Sequence, residues 1–88
     1  MFQVDWSDDA LLGDLCQVYL DHAEFRKEIT YASERIEVFL RASATAIGAE
    51  VSQEGLRKIR YDPLEMIYAI DGANVEIQTM KWVGFSTP

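Results

Sequence analysis

LRKIRYDPLEMIYAIDGANVEIQTMKWV, residues 56–83, decides the fold of this chain. Its apolar residues mostly alternate or run in short blocks rich in Ile, Val, Tyr and Trp, the mark of strands. Two turn signals cut it into three. Strands are expected over residues 56–61, 64–70 and 75–83. Asp62-Pro63 joins the first two tightly, because Asp favours the first position of a turn and Pro fixes φ at the next. Asp71-Gly72-Ala73-Asn74 joins the last two, and Asp-Gly between apolar runs is a hairpin signal. Links this short force antiparallel neighbours, so the three strands form a meander.

Upstream the rhythm changes. Up to about Ile47 the apolar residues recur at helical spacing instead of period two. Leu11, Leu12, Leu15, Val18, Tyr19 and Ala23 make one stripe on a helix expected over residues 8–24. Ser7 sits where an N-cap belongs, with Asp8 and Asp9 in the first turn, where the helix dipole favours negative charge. Ile29, Ala32, Ile36, Phe39, Leu40, Ser43 and Ile47 share a face on a second helix, over residues 26–46, and Gly48 is its stop. The break between residues 22 and 26 has no Gly or Pro; one long bent helix is the competing reading. Ahead of both, Phe2-Gln3-Val4-Asp5-Trp6 alternates and reads as a short strand. Residues 49–53 are open between loop and edge strand, and residues 84–88 read as a flexible tail. The chain is therefore an α+β domain: a short N-terminal strand, a two-helix hairpin, then a three-stranded antiparallel meander.

Eighty-eight residues make a single domain, 1–88, with 49% hydrophobic and 26% charged residues, an ordinary globular balance. The formal net charge is −7 and it is unevenly placed. Residues 1–54 set eleven acidic side chains against Arg26, Lys27, Arg35 and Arg41. In the rest, Arg57, Lys58, Arg60 and Lys81 balance Asp62, Glu65, Asp71 and Glu76. Such a chain is repelled by phosphate backbones at long range, which argues against direct nucleic-acid binding. Cys16 is the only cysteine, which fits a reducing cytoplasm. No apolar run is long enough to cross a membrane, and Met1-Phe2-Gln3-Val4-Asp5 has neither the basic start nor the apolar core of a secretory signal.

Little in the sequence points to catalysis. His22, the only histidine, has no nucleophile in its neighbourhood and reads as a surface residue. Cys16 falls beside Leu12 and Leu15 and reads as a small buried hydrophobe. No Cys/His spacing suits a metal, and no phosphate loop or dinucleotide motif is present, so no metal and no cofactor are expected. The one concentration of positive charge is Arg57-Lys58-Ile59-Arg60. On a strand Lys58 and Arg60 share one face, while Arg57, Ile59 and Tyr61 share the other. One reading is a solvated outer face with a charge at the core rim. The other is an anion-facing spot, with Tyr61 or Tyr68 free to stack on a base. Trp6 and Trp82, at the ends of the first and last strands, read as core or edge aromatics; partly exposed, they would suit a partner protein.

Three segments resemble the RelE/ParE superfamily of bacterial toxins. VDWSDDALLGDL resembles its first strand, small capping residue and Ala- and Leu-bearing helix. IGAEVSQEGLRKI resembles its recurring Gly, spacer and Gly-x-Arg step into the meander. DPLEMIYAIDGANVEIQTMKWV resembles its strand pair with an apolar-Tyr-apolar centre. The resemblance spans nearly the whole length and implies the order β-α-α-β-β-β. It further implies the toxin of a type II toxin–antitoxin system, of the plasmid-stabilisation kind, with an antitoxin segment wrapped over the helices or sheet. One branch of the superfamily cuts mRNA on the ribosome; another inhibits DNA gyrase by binding it and is not an enzyme. Carried over, Arg57 matches the recurring arginine, with Arg60 and Lys81 as companions of a ribonuclease site. The candidate binding set is Arg57, Lys58, Arg60 and Trp82. Tyr68 matches the mid-strand tyrosine, a packing residue. The chain departs from the ribonuclease branch in its acidity and in lacking Arg, Lys or Tyr after Val83. Stabilising a phosphorane needs several fixed donors. The expectation is therefore a toxin, or a toxin homologue, that acts by binding a protein such as DNA gyrase. A ribosome-dependent nuclease and a non-toxic interaction module, including a homodimer, stay as alternatives.

Overall fold

The computed structural model describes residues 1–51 and 55–86. It contains β1 (Gln3–Trp6), a π-helical stretch (Asp9–Leu15) leading into α1 (Cys16–Asp21), a 3₁₀ turn (Ala23–Phe25) and α2 (Arg26–Ile47). The strands β2 (Ala49–Glu50), β3 (Leu56–Tyr61), β4 (Leu64–Asp71) and β5 (Asn74–Trp82) follow. The expected β-α-α-meander order is present. The helix break falls at His22, whose φ of −131° and ψ of 48° leave the helical region. Ser52 and Gln53, which belong to the stretch left open between loop and strand, lie outside the described residues, as do Thr87 and Pro88 of the tail. Ala49 and Glu50 form a two-residue edge strand on β3.

All five strands form one sheet in the order β1-β5-β4-β3-β2. β3, β4 and β5 are antiparallel neighbours. β1 adds parallel to β5, with Gln3 opposite Asn74 and Trp6 opposite Ile77. The β4–β5 hairpin turns on Gly72 and Ala73, between paired Asp71 and Asn74. Gly72 takes φ +61°, which a residue with a Cβ adopts only with strain.

The helices cover one face of the sheet. Ile29, Ala32, Ile36, Leu40 and Ala44 of α2 pack on Ile59, Leu64, Met66, Tyr68, Val75, Ile77 and Met80. Burying an aliphatic side chain of this size stabilises the fold by about 1.5–3 kcal/mol. Ser43 departs from helical geometry (φ −152°, ψ 42°), and the change of phase puts Ala44 inside and leaves Ile47 exposed.

Two expectations about burial are corrected. Leu11, Leu12 and Ala23 are exposed, while Ala10 is fully buried. A π-helical turn holds more residues than an α-helical one, so it rotates the stripe away from the period of 3.6. Cys16 follows the same rotation and is exposed. Ser7 caps this stretch as expected: its hydroxyl accepts the Ala10 N–H at 3.1 Å and donates to the Gln78 carbonyl at 3.2 Å. Asp14 accepts the Met80 N–H at 2.9 Å. Together Ser7 and Asp14 satisfy the edge of β5 beyond the end of β1, which would otherwise offer an open template for another strand.

β5 also carries an irregularity. Ile67 pairs with Thr79 but Tyr68 with Ile77, so Gln78 is an extra residue. The bulge inverts the alternation. Val75 and Ile77 point inward before it, Met80 and Trp82 after it.

Candidate functional site

The bulge brings three of the candidate residues together. Across the face turned away from the helices, Arg60 pairs with Glu65 and Glu65 with Lys81, while Lys58 pairs with Ile67 and Ile67 with Thr79. Lys58 and Arg60 on β3 and Lys81 on β5 thus share one face on either side of β4, all exposed. Without the extra residue in β5, Lys81 would point into the core.

Two of these cations are already neutralised. Arg60 Nε meets Asp62 Oδ1 at 2.7 Å, and Lys81 Nζ meets Glu65 Oε1 at 3.4 Å. The Arg60 guanidinium and the Ser86 N–H, which donates to Asp62 Oδ2 at 2.8 Å, lower the pKa of Asp62 to about 2. Both donors favour the charged carboxylate. The opposite end of the same face is acidic: a shallow depression of about 470 Å³ is lined by Asp5, Asp71 and Glu76 among others. The outer sheet is therefore bipolar, with carboxylates beside its basic end as well. Such a surface gives little help to a phosphate.

Arg57 and Trp82 lie on the other side. Arg57 is paired with Tyr68 in register and points toward α2, where its guanidinium donates to the Gly48 carbonyl just past the helix end. Its Nε is shut away from solvent without a hydrogen-bond partner among the described residues. Tyr68 is fully buried and donates to the Ala44 carbonyl at 2.8 Å. A Cβ on Gly48 would fall inside the Tyr68 phenol, so glycine is required there by close approach. The Phe2 N–H donates to the Arg41 carbonyl at 2.8 Å. Two strand side chains, Arg57 and Tyr68, thus serve carbonyls at the end of α2, and the Phe2 N–H, just ahead of β1, serves one beside the kink at Ser43. The Gly…Gly-x-Arg pattern acquires a structural meaning here: a side-chain clamp on the end of a helix.

Neither tyrosine is free to stack on a base. Tyr68 is in the core, and Tyr61 packs beside Tyr31 and Phe39 with ring centroids 6.1 and 6.0 Å away. Trp82 stacks on His22 at 3.7 Å with the rings 8° from parallel. Phe25 and Phe85 complete the cluster at 5.5 and 5.9 Å from Trp82. His22 is therefore half-buried against an indole rather than free on the surface, and nothing in the local sequence signals that long-range contact. Through the Ser86 N–H on the Asp62 carboxylate and the Val83 N–H on the Pro63 carbonyl, both at 2.8 Å, the segment after β5 folds back on the β3–β4 turn, while Phe85 packs on Phe25 and Trp82.

That return carries a pH dependence. Asp62 has its pKa lowered from 3.8 to about 2 in the fold, so its contribution is present above 3.8 and is lost as pH falls through 2. The Ser86 amide resonance should titrate with a midpoint near 2, and the Asp62→Ala variant should abolish the transition. A midpoint near 3.8 would show that the carboxylate does not hold this segment.

Among the described residues no group of three or more His, Cys, Asp or Glu side chains could hold a metal, and no helix is long and apolar enough to cross a membrane. No known family profile matches the chain, and no curated protein does. Among solved structures, a chain of the chromosomal ParDE toxin–antitoxin system from P. aeruginosa superposes with a TM-score of 0.77 at 16% identity. The match covers 94% of this chain and 97% of that one. At that identity the likeness establishes architecture, and it does so from end to end: the chain shares the fold of that ParDE-system chain.

Proposed function

We propose that this chain is the toxin component of a type II toxin–antitoxin module, that it acts by binding a protein target such as DNA gyrase, and that it is held in check by a cognate antitoxin. The end-to-end structural match to a ParDE chain carries the reading. The charge pattern favours protein binding over mRNA cleavage. Arg60 and Lys81 sit in ion pairs, Arg57 serves the end of a helix, and the net charge is −7. A cytoplasmic, bacterial setting belongs to this reading, and the free Cys16 is compatible with it.

Controlled expression in a bacterial host tests it. Induction should arrest growth, and co-expression of the neighbouring reading frame should relieve the arrest. Purified protein should inhibit gyrase supercoiling and leave ribosome-bound mRNA intact. Cleavage of that mRNA, lost in an Arg60→Ala, Lys81→Ala variant, would move the chain to the nuclease branch. Unchanged growth and supercoiling would leave an interaction module without toxicity.

A further inference from the structure

A depression of about 370 Å³ lies where three segments meet. It is lined by Lys27, Glu28 and Tyr31 of α2, by Tyr61 at the end of β3 with Asp62 in the turn after it, and by Phe85 of the returning segment. Its walls are aromatic. Tyr31 and Tyr61 have ring centroids 6.1 Å apart and planes at 59°, so they form a corner rather than a flat stack. Tyr31 and Phe85 are 56% and 48% exposed, so each ring keeps much of its surface open. Burial, and after it the neighbouring Tyr31 hydroxyl, raise the pKa of Tyr61 above its ordinary value, so the phenol stays neutral. The same row of rings already holds one cation. Tyr61 packs beside Phe39, and the Arg35 guanidinium lies 4.9 Å from the centroid of the Phe39 ring. Within that reach the negative face of an aromatic ring attracts positive charge. Among the described residues no Lys or Arg sits over Tyr31, Tyr61 or Phe85.

We infer that this corner takes the head of a small, free quaternary ammonium compound of the choline type. The rings supply the attraction for a desolvated cation. Glu28 adds a carboxylate that is in no ion pair among the described residues, and the net charge of −7 draws cations toward the chain. A quaternary head fits better than a primary one. Asp62 has both oxygens engaged, Oδ1 by Arg60 and Oδ2 by the Ser86 N–H. A primary ammonium brings three N–H donors that need acceptors, whereas a trimethylammonium brings none. The volume, at the small end for ligand sites, suits such a head on a short chain. Lys27, one turn before Tyr31, opposes the cation, as does the positive start of α2, so removing Lys27 should tighten binding. The inference goes beyond the toxin reading and does not depend on it.

Choline titrated into the full chain, followed by amide NMR, tests it against 3,3-dimethylbutan-1-ol, a neutral molecule of the same shape. Choline should shift the amides of Glu28, Tyr31, Tyr61 and Phe85. It should bind about tenfold tighter than the neutral isostere, and tighter than ethanolamine, its primary-amine counterpart. Tyr31→Leu keeps apolar bulk at an exposed position and removes the π face, so affinity should fall about threefold or more while the rest of the amide spectrum shows the chain folded. Glu28→Gln should weaken binding and Lys27→Ala should strengthen it. Equal binding of the isostere, tighter binding of ethanolamine, shifts confined to other residues, or unchanged affinity in Tyr31→Leu would overturn the inference. So would benzoate binding tighter than choline and losing that advantage in Lys27→Ala, which would make the depression an anion site. A peptide carrying trimethyllysine separates the two sources of such a head: binding tighter than choline by about tenfold would overturn the assignment to a free compound in favour of a protein side chain.

Discussion

Replacing Tyr68 with Ala should lower stability by about 3–5 kcal/mol, the cost of removing a large buried ring from a close-packed site. Tyr68 is fully buried in the middle of β4, under the end of α2. Its loss opens a cavity beneath Gly48, whose missing side chain matches the space the phenol fills. It also strands the Ala44 carbonyl. In a domain of this size each kcal/mol moves the melting temperature by about 4–8 °C, so a drop of roughly 15 °C or more is expected. Tyr68→Phe separates the two contributions. It keeps the ring and loses only the hydrogen bond to Ala44, at a cost of about 1–3 kcal/mol for an unsatisfied buried carbonyl. Thermal and urea unfolding of both variants measure this directly. If Tyr68→Ala shifted the midpoint by less than about 5 °C, the packing of α2 against β4 described above would be wrong.

The second large effect is expected at Arg57. Its guanidinium donates to the Gly48 carbonyl, so Arg57→Ala should cost about 1.5–3 kcal/mol, the range for a hydrogen bond involving a charged group. Arg57→Lys should recover little of that, because an ammonium lacks the planar fork and its stem is shorter. Lys58→Ala, one residue on and exposed, should stay within about 0.5 kcal/mol of the parent. The contrast discriminates between roles. If Arg57 served an anion site instead, Arg57→Ala would leave unfolding unchanged and lower affinity for phosphate or RNA. Equal stability of the Arg57→Ala and Lys58→Ala variants would remove the clamp.

Much of the architecture was legible in the sequence because short connections leave few choices. Asp62-Pro63 and Asp71-Gly72-Ala73-Asn74 forced the meander, and the heptad-like recurrence from Ile29 to Leu40 marked the buried side of α2. The parallel pairing of β1 with β5 was not legible. Two strands separated by nearly the whole chain leave no local mark of being neighbours. The first helical arm was misread because its stripe was measured at a period of 3.6, while residues 9–15 are π-helical. The candidate site was half legible. Alternation placed Lys58 and Arg60 on one face and Arg57 on the other, as observed. That Lys81 joins Lys58 and Arg60 depends on the bulge at Gln78. Its signature was present in the sequence: Val75 and Ile77 keep one parity, Met80 and Trp82 the other. The neutralising partners Glu65 and Asp62 become visible only once the register is known.

The position of β1 has a kinetic consequence. Its hydrogen-bonding partner is the last strand to be synthesised, so Gln3–Trp6 must wait, unpaired, until residues 74–77 are available. The local hairpins of the meander can close early, whereas this contact bridges the longest loop in the molecule and is intrinsically slow. Assembly of the domain therefore ends with its first strand, and a bulky group fused ahead of that strand would obstruct the final closing step rather than the early ones.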